Sequence, residues 1–162
     1  MTQPREPEPQ APADSSQPEQ RILSLTPHGK SAFSIEEVLR QRIEQLAQAI
    51  RHKDVDGLMA FYSPEVVAFD VQPPLEARGA AAYRENFVRW FDSFDGPIDF
   101  QLKNLRVVPG EPVSFCHYLS LIVGAKPRGG TVGYWARGTT CFERRDGEWL
   151  VTHEHISMPS ST

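Results

Sequence analysis

Apolar residues recur at helical spacing from residue 35 onward. The residues that follow this spacing are Ile35, Val38, Leu39, Ile43, Leu46 and Ile50. Such spacing places all of them on one face of a helix. At Ser34, the stretch SIEE puts a glutamate three residues after a serine, so that each side chain can cap the other's backbone amide. The pattern predicts an amphipathic helix that begins after Ser34 and reaches Lys53.

Two more helices are predicted before residue 97. Asp54 can cap a short helix that Ser63-Pro64 stops. Its apolar side chains are Leu58, Met59, Phe61 and Tyr62. A third helix follows Gly79, and its aromatic residues again recur at helical spacing. They are Tyr83, Phe87, Trp90, Phe91 and Phe94, which we interpret mainly as core.

The pattern of the remaining chain changes from helix to strand. A short strand, EVVAFDV, lies between the second and third helices and ends before Pro73-Pro74. Four long β-branched and aromatic runs follow, at residues 97–109, 112–124, 131–145 and 148–159. Short turns separate these runs, so adjacent strands are expected to pair antiparallel. The order of elements predicts an α+β domain in which the helices pack on one face of a curved, mainly antiparallel sheet.

The N-terminal segment has a different composition. Residues 1–20 contain five prolines and no leucine, isoleucine, valine or aromatic residue. They cannot bury enough apolar area to offset the entropy of ordering. We therefore expect residues 1–33 to form a disordered or loosely attached tail, with a short strand or anchoring arm at residues 21–26. The folded domain is expected at residues 34–159, and residues 160–162 form a C-terminal tail.

Composition narrows the choice of partners and cofactors. The formal net charge is −4, and no cluster of lysines and arginines forms a basic face, so no nucleic-acid partner is expected. No long apolar span or leader segment is visible, which favours a cytoplasmic protein without membrane insertion. The chain has no P-loop, dinucleotide-binding glycine pattern, nucleophile elbow or HExxH motif, so no cofactor is implied. The two cysteines, Cys116 and Cys141, lack zinc-site spacing and are interpreted as reduced thiols.

Two histidines in the last predicted strand raise the question of a metal site. His153 and His155 project to one face of a strand, and Glu154 between them projects to the other, so the three cannot converge on one ion. A His-x-His pair can bind metal when a neighbouring strand supplies a third ligand, and His117 or Cys141 is the candidate. We favour the simpler interpretation that no metal binds and that the histidines are polar residues on a sheet face.

Asp70 is the main candidate for proton-transfer chemistry. It ends the apolar strand VVAFD directly before the Pro-Pro loop, where partial burial raises a carboxyl pKa toward that of a usable base. The alternative is a strand-terminal aspartate that bonds to loop amides. The other polar-tipped candidates are Tyr83, Trp90, Tyr118, Arg137, Thr140 and Glu154.

Three strings in the chain resemble those of a known superfamily. They are DVDGLMAFYSPEVVAFD, RGAAAYRENFVRWF and FERRDGEWLVTHEHIS. Together they are similar to the nuclear transport factor 2-like superfamily in its SnoaL-like type, which includes ketosteroid isomerases, polyketide cyclases and a kinase association domain. The resemblance covers residues 34–159 and implies a cone-shaped, cystatin-like fold with an apolar pocket. Members are commonly dimers through the convex face of the sheet, which implies a homodimer here.

The resemblance to ketosteroid isomerases bears on catalysis. In those enzymes, the strand that VVAFD resembles ends in the aspartate that moves the proton, so the resemblance implies that Asp70 is a general base. The same alignment puts Leu46 and Gly138 where those enzymes carry a tyrosine and a protonated aspartic acid that bind the oxyanion. Neither residue can donate a side-chain hydrogen bond, so steroid delta-isomerase activity of the familiar type is not expected. Tyr83 on the third helix is the replacement donor that we favour.

The string RRDGEWLVTHEHIS is most similar to the association domain of calcium/calmodulin-dependent kinase. The pocket arginines of that domain correspond to Thr140 and Ile156 here. Strand parity places Trp149, His153 and His155 on the convex face, where they would form the dimer interface. The residues expected to line the pocket are Trp90, Tyr118, Thr140, Glu154 and Ile156. Among these, Tyr118 and Glu154 are the second choices for the oxyanion donor.

Two functions remain open at this point. In the first, the chain binds a small apolar carbonyl-bearing metabolite and acts as an isomerase, cyclase or dehydratase, with Asp70 as the base and Tyr83 as the oxyanion donor. In the second, it is a non-catalytic dimerisation or ligand-sensing module.

Overall fold

The structure is a computed structural model that describes residues 33–160. The predicted N-terminal tail lies outside the described residues except for Phe33, and the strand or arm predicted at residues 21–26 lies outside them as well.

The first helix, α1, spans Ile35–Arg51 and has the predicted capping box. The Ser34 backbone nitrogen donates to Glu37 Oε2 at 2.8 Å, and the Glu37 nitrogen donates to Ser34 Oγ at 3.2 Å. The helix ends two residues before the predicted end, because Lys53 has a φ of 55° and leaves the helical region. Its buried face consists of Leu39, Ile43, Leu46, Ala47 and Ile50.

The second helix, α2, is shorter than the sequence pattern predicted. It spans Val55–Met59, and the Asp54 side chain accepts from the Gly57 nitrogen at 2.9 Å. The prediction that Phe61 and Tyr62 belong to this helix was wrong, since Tyr62 begins strand β1 (Tyr62–Phe69). Tyr62 pairs with Val151 of the last strand, so sheet pairing decides its conformation in place of local helical spacing.

The third helix, α3, spans Ala80–Asp92 and follows Gly79, as predicted. Gly79 has a φ of 87°, which a side chain would disfavour, and it ends a two-residue strand that the sequence pattern did not predict. This strand, β2 (Ala77–Arg78), pairs antiparallel with β1. It brings the chain back from the loop after Asp70 and starts α3 beside β1.

Four long strands complete the sheet close to their predicted positions. They are β3 (Asp95–Val108), β4 (Val113–Ala125), β5 (Thr131–Arg145) and β6 (Glu148–Ser157). The strand order is β2-β1-β6-β5-β4-β3, and every neighbouring pair is antiparallel except β1 and β6, which run parallel. The helices cover one face of this sheet. The predicted α+β class is therefore confirmed.

The buried face of the sheet, which we call the inner face, packs against α1 and α3. On β4, alternate residues from Ser114 to Ile122 are buried, whereas Phe115 between them is 41% exposed. The side chains of α3 that enter this core are mainly aromatic, and Phe87 and Phe91 have ring centroids 6.0 Å apart. The opposite face, which we call the outer face, carries Phe115, Trp135 and His155, all exposed.

A bulge in β6 changes which residues face the core. Val151 pairs with Phe142 and His153 pairs with Cys141, so Thr152 is an extra residue on β6. The expectation that Trp149 shares a face with His153 and His155 was wrong for this reason. Trp149 is only 5% exposed and belongs to the core on the inner face, whereas His155 lies on the outer face.

We predict that Gly138→Ala destabilises the fold by about 1–3 kcal/mol, because overpacking a filled site forces side chains out of place. A Cβ at residue 138 would lie 2.5 Å from the ring of Tyr118. Gly133→Ala on the same strand is the matched control, since its Cβ would meet nothing closer than 3.5 Å. Urea unfolding of both variants measures the difference. Equal stability of the two variants would contradict the tight packing of Tyr118 on Gly138.

Candidate functional site

A cavity of about 140 Å³ lies between the helices and the inner face of the sheet. Its apolar wall is formed by Leu46, Ile50, Val71, Phe87, Trp90, Phe100, Ile122, Ala136, Ile156 and Met158. Its polar groups come from Tyr62, Asp70, Gln72, Tyr83, Tyr118, Ser120, Tyr134 and Glu154. An apolar cavity with a few converging polar groups has the general form of a small-molecule site.

Glu154 is the polar centre of the cavity wall. It is only 2% exposed, and its Oε2 accepts hydrogen bonds from Tyr62 Oη at 2.8 Å and Tyr83 Oη at 2.7 Å. Its Oε1 accepts from Thr140 Oγ1 at 3.0 Å. Tyr118 Oη is more weakly held, 3.5 Å from Glu154 Oε1 and 3.3 Å from Thr140 Oγ1. We call Glu154 and these four hydroxyl residues the Glu154 network.

Burial raises the pKa of the Glu154 carboxyl above its ordinary value, because the charged form loses its hydration. The hydroxyls of Tyr83, Tyr62 and Thr140 partly oppose this effect, since their hydrogen bonds stabilise the carboxylate. The pKa values of Tyr62, Tyr83 and Tyr118 are raised well above the ordinary value, first by burial and then by the charge of Glu154. The three phenols therefore keep their hydrogens available for donation.

Five elements of the fold supply the Glu154 network. Tyr62 begins β1, Tyr83 lies on α3, Tyr118 on β4, Thr140 on β5 and Glu154 on β6. On the inner face, Tyr118 is paired with Gly138. The missing side chain at residue 138 leaves the space that the Tyr118 ring and hydroxyl fill, with Oη 2.8 Å from where a Cβ would lie. The Tyr118 phenol on β4 therefore fills the space beside Gly138 on β5. This is the position at which the resemblance to ketosteroid isomerases implied a protonated aspartic acid.

Asp70 lies directly after β1, and β1 pairs with β6 so that Ala68 is opposite Glu154. Because Asp70 is two residues beyond Ala68, it projects from the same face of the sheet as Glu154. Burial raises the pKa of the Asp70 carboxyl. Hydrogen bonding, first from the Val71 amide nitrogen at 2.6 Å, lowers it in part. The net direction is upward, which makes Asp70 a stronger base than an exposed aspartate.

Asn86 on α3 is a buried neighbour of Asp70. Its Oδ1 accepts a hydrogen bond from Arg89 Nη2, and Arg89 Nη2 also donates to the Pro73 carbonyl at 3.1 Å. Within residues 33–160, Asn86 Nδ2 completes no hydrogen bond, yet Asn86 lowers the pKa of Asp70. Since Arg89 occupies the oxygen of the amide, the nitrogen is the end left to act on the carboxylate.

Trp90 and Tyr134 form a second pair of polar groups in the cavity wall. Trp90 Nε1 donates to Tyr134 Oη at 2.8 Å. Burial raises the pKa of Tyr134, while the hydrogen bond from Trp90 lowers it in part. The indole hydrogen is therefore committed to Tyr134, and the Trp90 ring presents an apolar surface to the cavity.

The structure brings six of the residues singled out from the sequence to the cavity wall. They are Asp70, Tyr83, Trp90, Tyr118, Glu154 and Ile156. Thr140 is fully buried and reaches the cavity only through its hydrogen bond to Glu154. His153 and His155 lie apart from the cavity, in contact with the ring of Phe69.

Sequence reasoning missed Tyr62, Asn86 and Tyr134. Tyr62 was assigned to a helix, so its position opposite β6 was hidden. Tyr134 could have been found, because it is in phase with Ala136 and Thr140 on β5. No sequence pattern indicated Asn86, because its role depends on contacts between α3 and the loop after β1.

Two searches of the described residues are negative. Between residues 33 and 160, no group of three or more histidine, cysteine, aspartate or glutamate side chains is arranged to hold a metal ion. In that same part of the chain, no helix has both the length and the apolar character needed to cross a membrane.

Comparison with known proteins relates the chain to a family. A profile of the SnoaL-like domain matches residues 39–161. A nuclear transport factor 2-like protein of unknown function from Pseudomonas putida KT2440 is 31% identical, with a TM-score of 0.70 over 78% of this chain and 87% of that chain. No protein of curated function matches the chain significantly.

More distant solved structures share the fold. The association domain of calcium/calmodulin-dependent kinase II from C. elegans is 20% identical, with a TM-score of 0.58 over 76% of this chain and 98% of that chain. A ketosteroid isomerase-like protein from Erwinia carotovora atroseptica is 14% identical, with a TM-score of 0.69 over 80% of this chain and 100% of that chain. At these identities the similarity establishes the fold alone.

We predict that Glu154→Gln removes part of the pH dependence of stability. Because the pKa of Glu154 is raised on folding, its proton stabilises the folded state at low pH, and this contribution is lost as the pH rises through the folded pKa. The free energy of unfolding of the variant, relative to that of wild type, should therefore increase as the pH rises from the ordinary glutamate pKa of 4.5 through the raised folded pKa. Urea unfolding at several pH values measures it. Glu85→Gln, at an exposed position of α3, is the control. If the free energies of unfolding of wild type and Glu154→Gln changed in parallel with pH, the pKa of Glu154 would not be raised.

Proposed function

The chain belongs to the SnoaL-like family of the nuclear transport factor 2-like superfamily, and on that basis we propose that its cavity binds a small apolar metabolite with a carbonyl group. Asp70 acts as the general base on a carbon next to that carbonyl. The reaction class is isomerisation, cyclisation or dehydration, all of which begin with the same proton abstraction.

The position of Asp70 is the observation that carries this proposal. A carboxyl group with a raised pKa lines a cavity whose wall is largely apolar, and hydroxyl groups line the same cavity. General bases work best when their pKa is shifted toward the working pH and they lie within reach of the substrate proton. The Val71 amide nitrogen donates to the carboxyl group from the protein side, at 2.6 Å.

Tyr118 is the hydroxyl that we assign as oxyanion donor. Tyr83, the donor favoured from the sequence, donates to Glu154 Oε2 at 2.7 Å and is already committed. Among the phenols of the Glu154 network, Tyr118 has only long contacts of 3.3 and 3.5 Å, so it loses least when it turns to a ligand oxygen. When Glu154 is protonated, its own O–H donates a hydrogen bond to one of the surrounding hydroxyls. The carboxyl group then needs one donated hydrogen bond fewer, which frees the Tyr118 hydroxyl to bind a ligand.

The proposed step is balanced without a cofactor. The carbon–hydrogen bond next to the carbonyl breaks, its proton passes to an Asp70 oxygen, and the electron pair moves to the carbonyl oxygen as an enolate. Tyr118 donates a hydrogen bond to that oxygen. Asp70 then returns the proton to another carbon in an isomerisation, or to a departing hydroxyl group in a dehydration. In a cyclisation, the enolate carbon attacks a second carbonyl carbon, the electron pair of that C=O π bond moves to its oxygen, and the resulting alkoxide takes the proton from Asp70.

We predict that Asp70→Asn slows exchange of the protons next to the carbonyl of cyclic ketones such as cyclohex-2-enone by about 10²–10⁴-fold. The amide cannot accept the proton, although it preserves the shape of the side chain. Loss of the proton signal in deuterated water, followed by nuclear magnetic resonance, measures the rate.

Asp92→Asn is the control, since Asp92 is exposed at the end of α3. Tyr118→Phe should slow exchange as well, with the fold intact by circular dichroism. If the Asp70→Asn protein exchanged protons as fast as wild type, Asp70 would not be the base.

A second candidate function is assembly of two chains through the outer face of the sheet. One relative of similar fold is named an association domain. The outer face carries three aromatic residues with large exposed fractions, Phe69 at 40%, Phe115 at 41% and Trp135 at 46%. Exposed aromatic side chains are enriched at protein interfaces relative to the rest of the surface. His153 and His155 lie beside Phe69 on this surface, so they remain proposed interface residues.

We predict that wild type is a homodimer and that a double variant, Phe115→Glu with Trp135→Glu, is a monomer. Two carboxylates on this surface would have to be buried without partners in the dimer. Light scattering coupled to size-exclusion chromatography measures the mass. Leu75→Glu is the control, because Leu75 is 94% exposed in the loop before β2. A monomeric wild type, or a dimer that survives both substitutions, would exclude this interface.

A further inference from the structure

We infer that the cavity selects ligands that contain one six-membered ring and carry no negative charge. This inference rests on the proposed function, because it assumes that the cavity is the ligand site. It adds a size limit and a charge limit to the class of carbonyl compounds, and neither limit follows from membership of the family.

The size limit comes from the volume of the cavity. The cavity holds about 140 Å³, and an engineered protein cavity of about 150 Å³ accepts benzene. One ring with a small substituent therefore fills it. A fused system of two or more rings would require movement of Phe87, Phe100 or Leu46, which are packed between α1, α3 and the sheet.

The charge limit comes from the ionisable groups around the cavity. Its wall contains two carboxyl groups, Asp70 and Glu154, and among residues 33–160 none of the side chains that line it is a lysine, arginine or histidine. Arg89 is the cation that acts on Asp70, but it is exposed, binds Asn86 Oδ1 and the Pro73 carbonyl, and is not part of the wall. An anion in the cavity would therefore meet like charge without a counter-ion.

The hydrogen-bond donors around the cavity lead to the same conclusion. Tyr62 and Tyr83 direct their hydroxyl hydrogens at Glu154, and Trp90 directs its indole hydrogen at Tyr134. What remains for a ligand is the weakly held Tyr118 hydroxyl, the hydrogen of Tyr134, whose Oη accepts from Trp90, and the neutral side chains of Ser120 and Gln72. These groups can bind one carbonyl or hydroxyl group, whereas a buried carboxylate needs several strong donors or a cation.

The aromatic rings around the cavity favour ligands with a positive charge. Rings of Tyr62, Tyr83, Phe87, Trp90 and Tyr134 border the cavity. Aromatic faces are electron-rich and attract cations. A protonated amine on a single ring is therefore compatible with the site, and a carboxylate on the same ring is not.

Four probes of matched chemistry test both limits. Phenol is a neutral single ring, benzylammonium is a cationic one, benzoate is an anionic one, and 2-naphthol is neutral with two fused rings. Dissociation constants are obtained by nuclear magnetic resonance titration, with the indole N–H signal of Trp90 as a reporter at the cavity wall. We expect phenol and benzylammonium to bind, and benzoate and 2-naphthol to bind at least about tenfold more weakly.

A double variant, Asp70→Asn with Glu154→Gln, tests whether the two carboxyl groups cause the charge limit. The ratio of its affinity for benzoate to its affinity for phenol should rise at least about tenfold relative to wild type. Asp92→Asn, which removes a charge outside the cavity, should leave the preference for phenol over benzoate unchanged. Circular dichroism establishes that both proteins are folded.

Each outcome decides between the proposals. Equal binding of benzoate and phenol by wild type would overturn the charge limit, and equal binding of 2-naphthol and phenol would overturn the size limit. Failure of phenol to bind at all would overturn the inference as a whole. If the probes show the expected selectivity but Asp70→Asn leaves proton exchange unchanged, the charge and size limits stand and the proposed catalytic function fails.

Discussion

Glu154 is the residue on which the arrangement of the cavity depends. A carboxyl group that is 2% exposed must be satisfied by hydrogen bonds, and here the partners come from β1, α3, β4 and β5. Four elements are therefore tied to β6 through one side chain. Removal of the Tyr62, Tyr83 or Thr140 hydroxyl would leave the carboxyl group short of a close partner, so the network defines the relative positions of α3 and the sheet more narrowly than apolar packing alone.

Two backbone features make this network possible. Thr152 adds a residue to β6, so Trp149 and Val151 fill the core before the bulge and Glu154 faces the cavity after it. Gly138 leaves room for the Tyr118 ring on the neighbouring strand. Without the bulge, the two halves of β6 could not both direct large side chains inward, and without the glycine the third phenol could not reach Glu154.

Local patterns along the chain were sufficient to predict most of the fold. Helix α1 follows from apolar spacing and the Ser34 capping box, and the four long strands follow from alternation and turns. The errors arose where a distant partner decides the conformation. Tyr62 continues a helical pattern but pairs with Val151, which lies far away in sequence, and the bulge at Thr152 reverses the parity that would otherwise place Trp149 on the outer face.

The candidate site was harder to predict from the sequence, because its chemistry depends on side chains that are distant along the chain and lie close together in the fold. Asp70 and Glu154 were singled out separately, but no spacing along the chain shows that β1 and β6 are parallel neighbours. Their proximity has a physical consequence. A ligand that fills the cavity removes solvent from the half-buried Asp70 carboxyl group and raises its pKa further. This change strengthens Asp70 as a base. Glu154 is already only 2% exposed and keeps its hydroxyl partners while Asp70 takes the proton. An anionic ligand would oppose the charge on Asp70 at the moment when the base is needed.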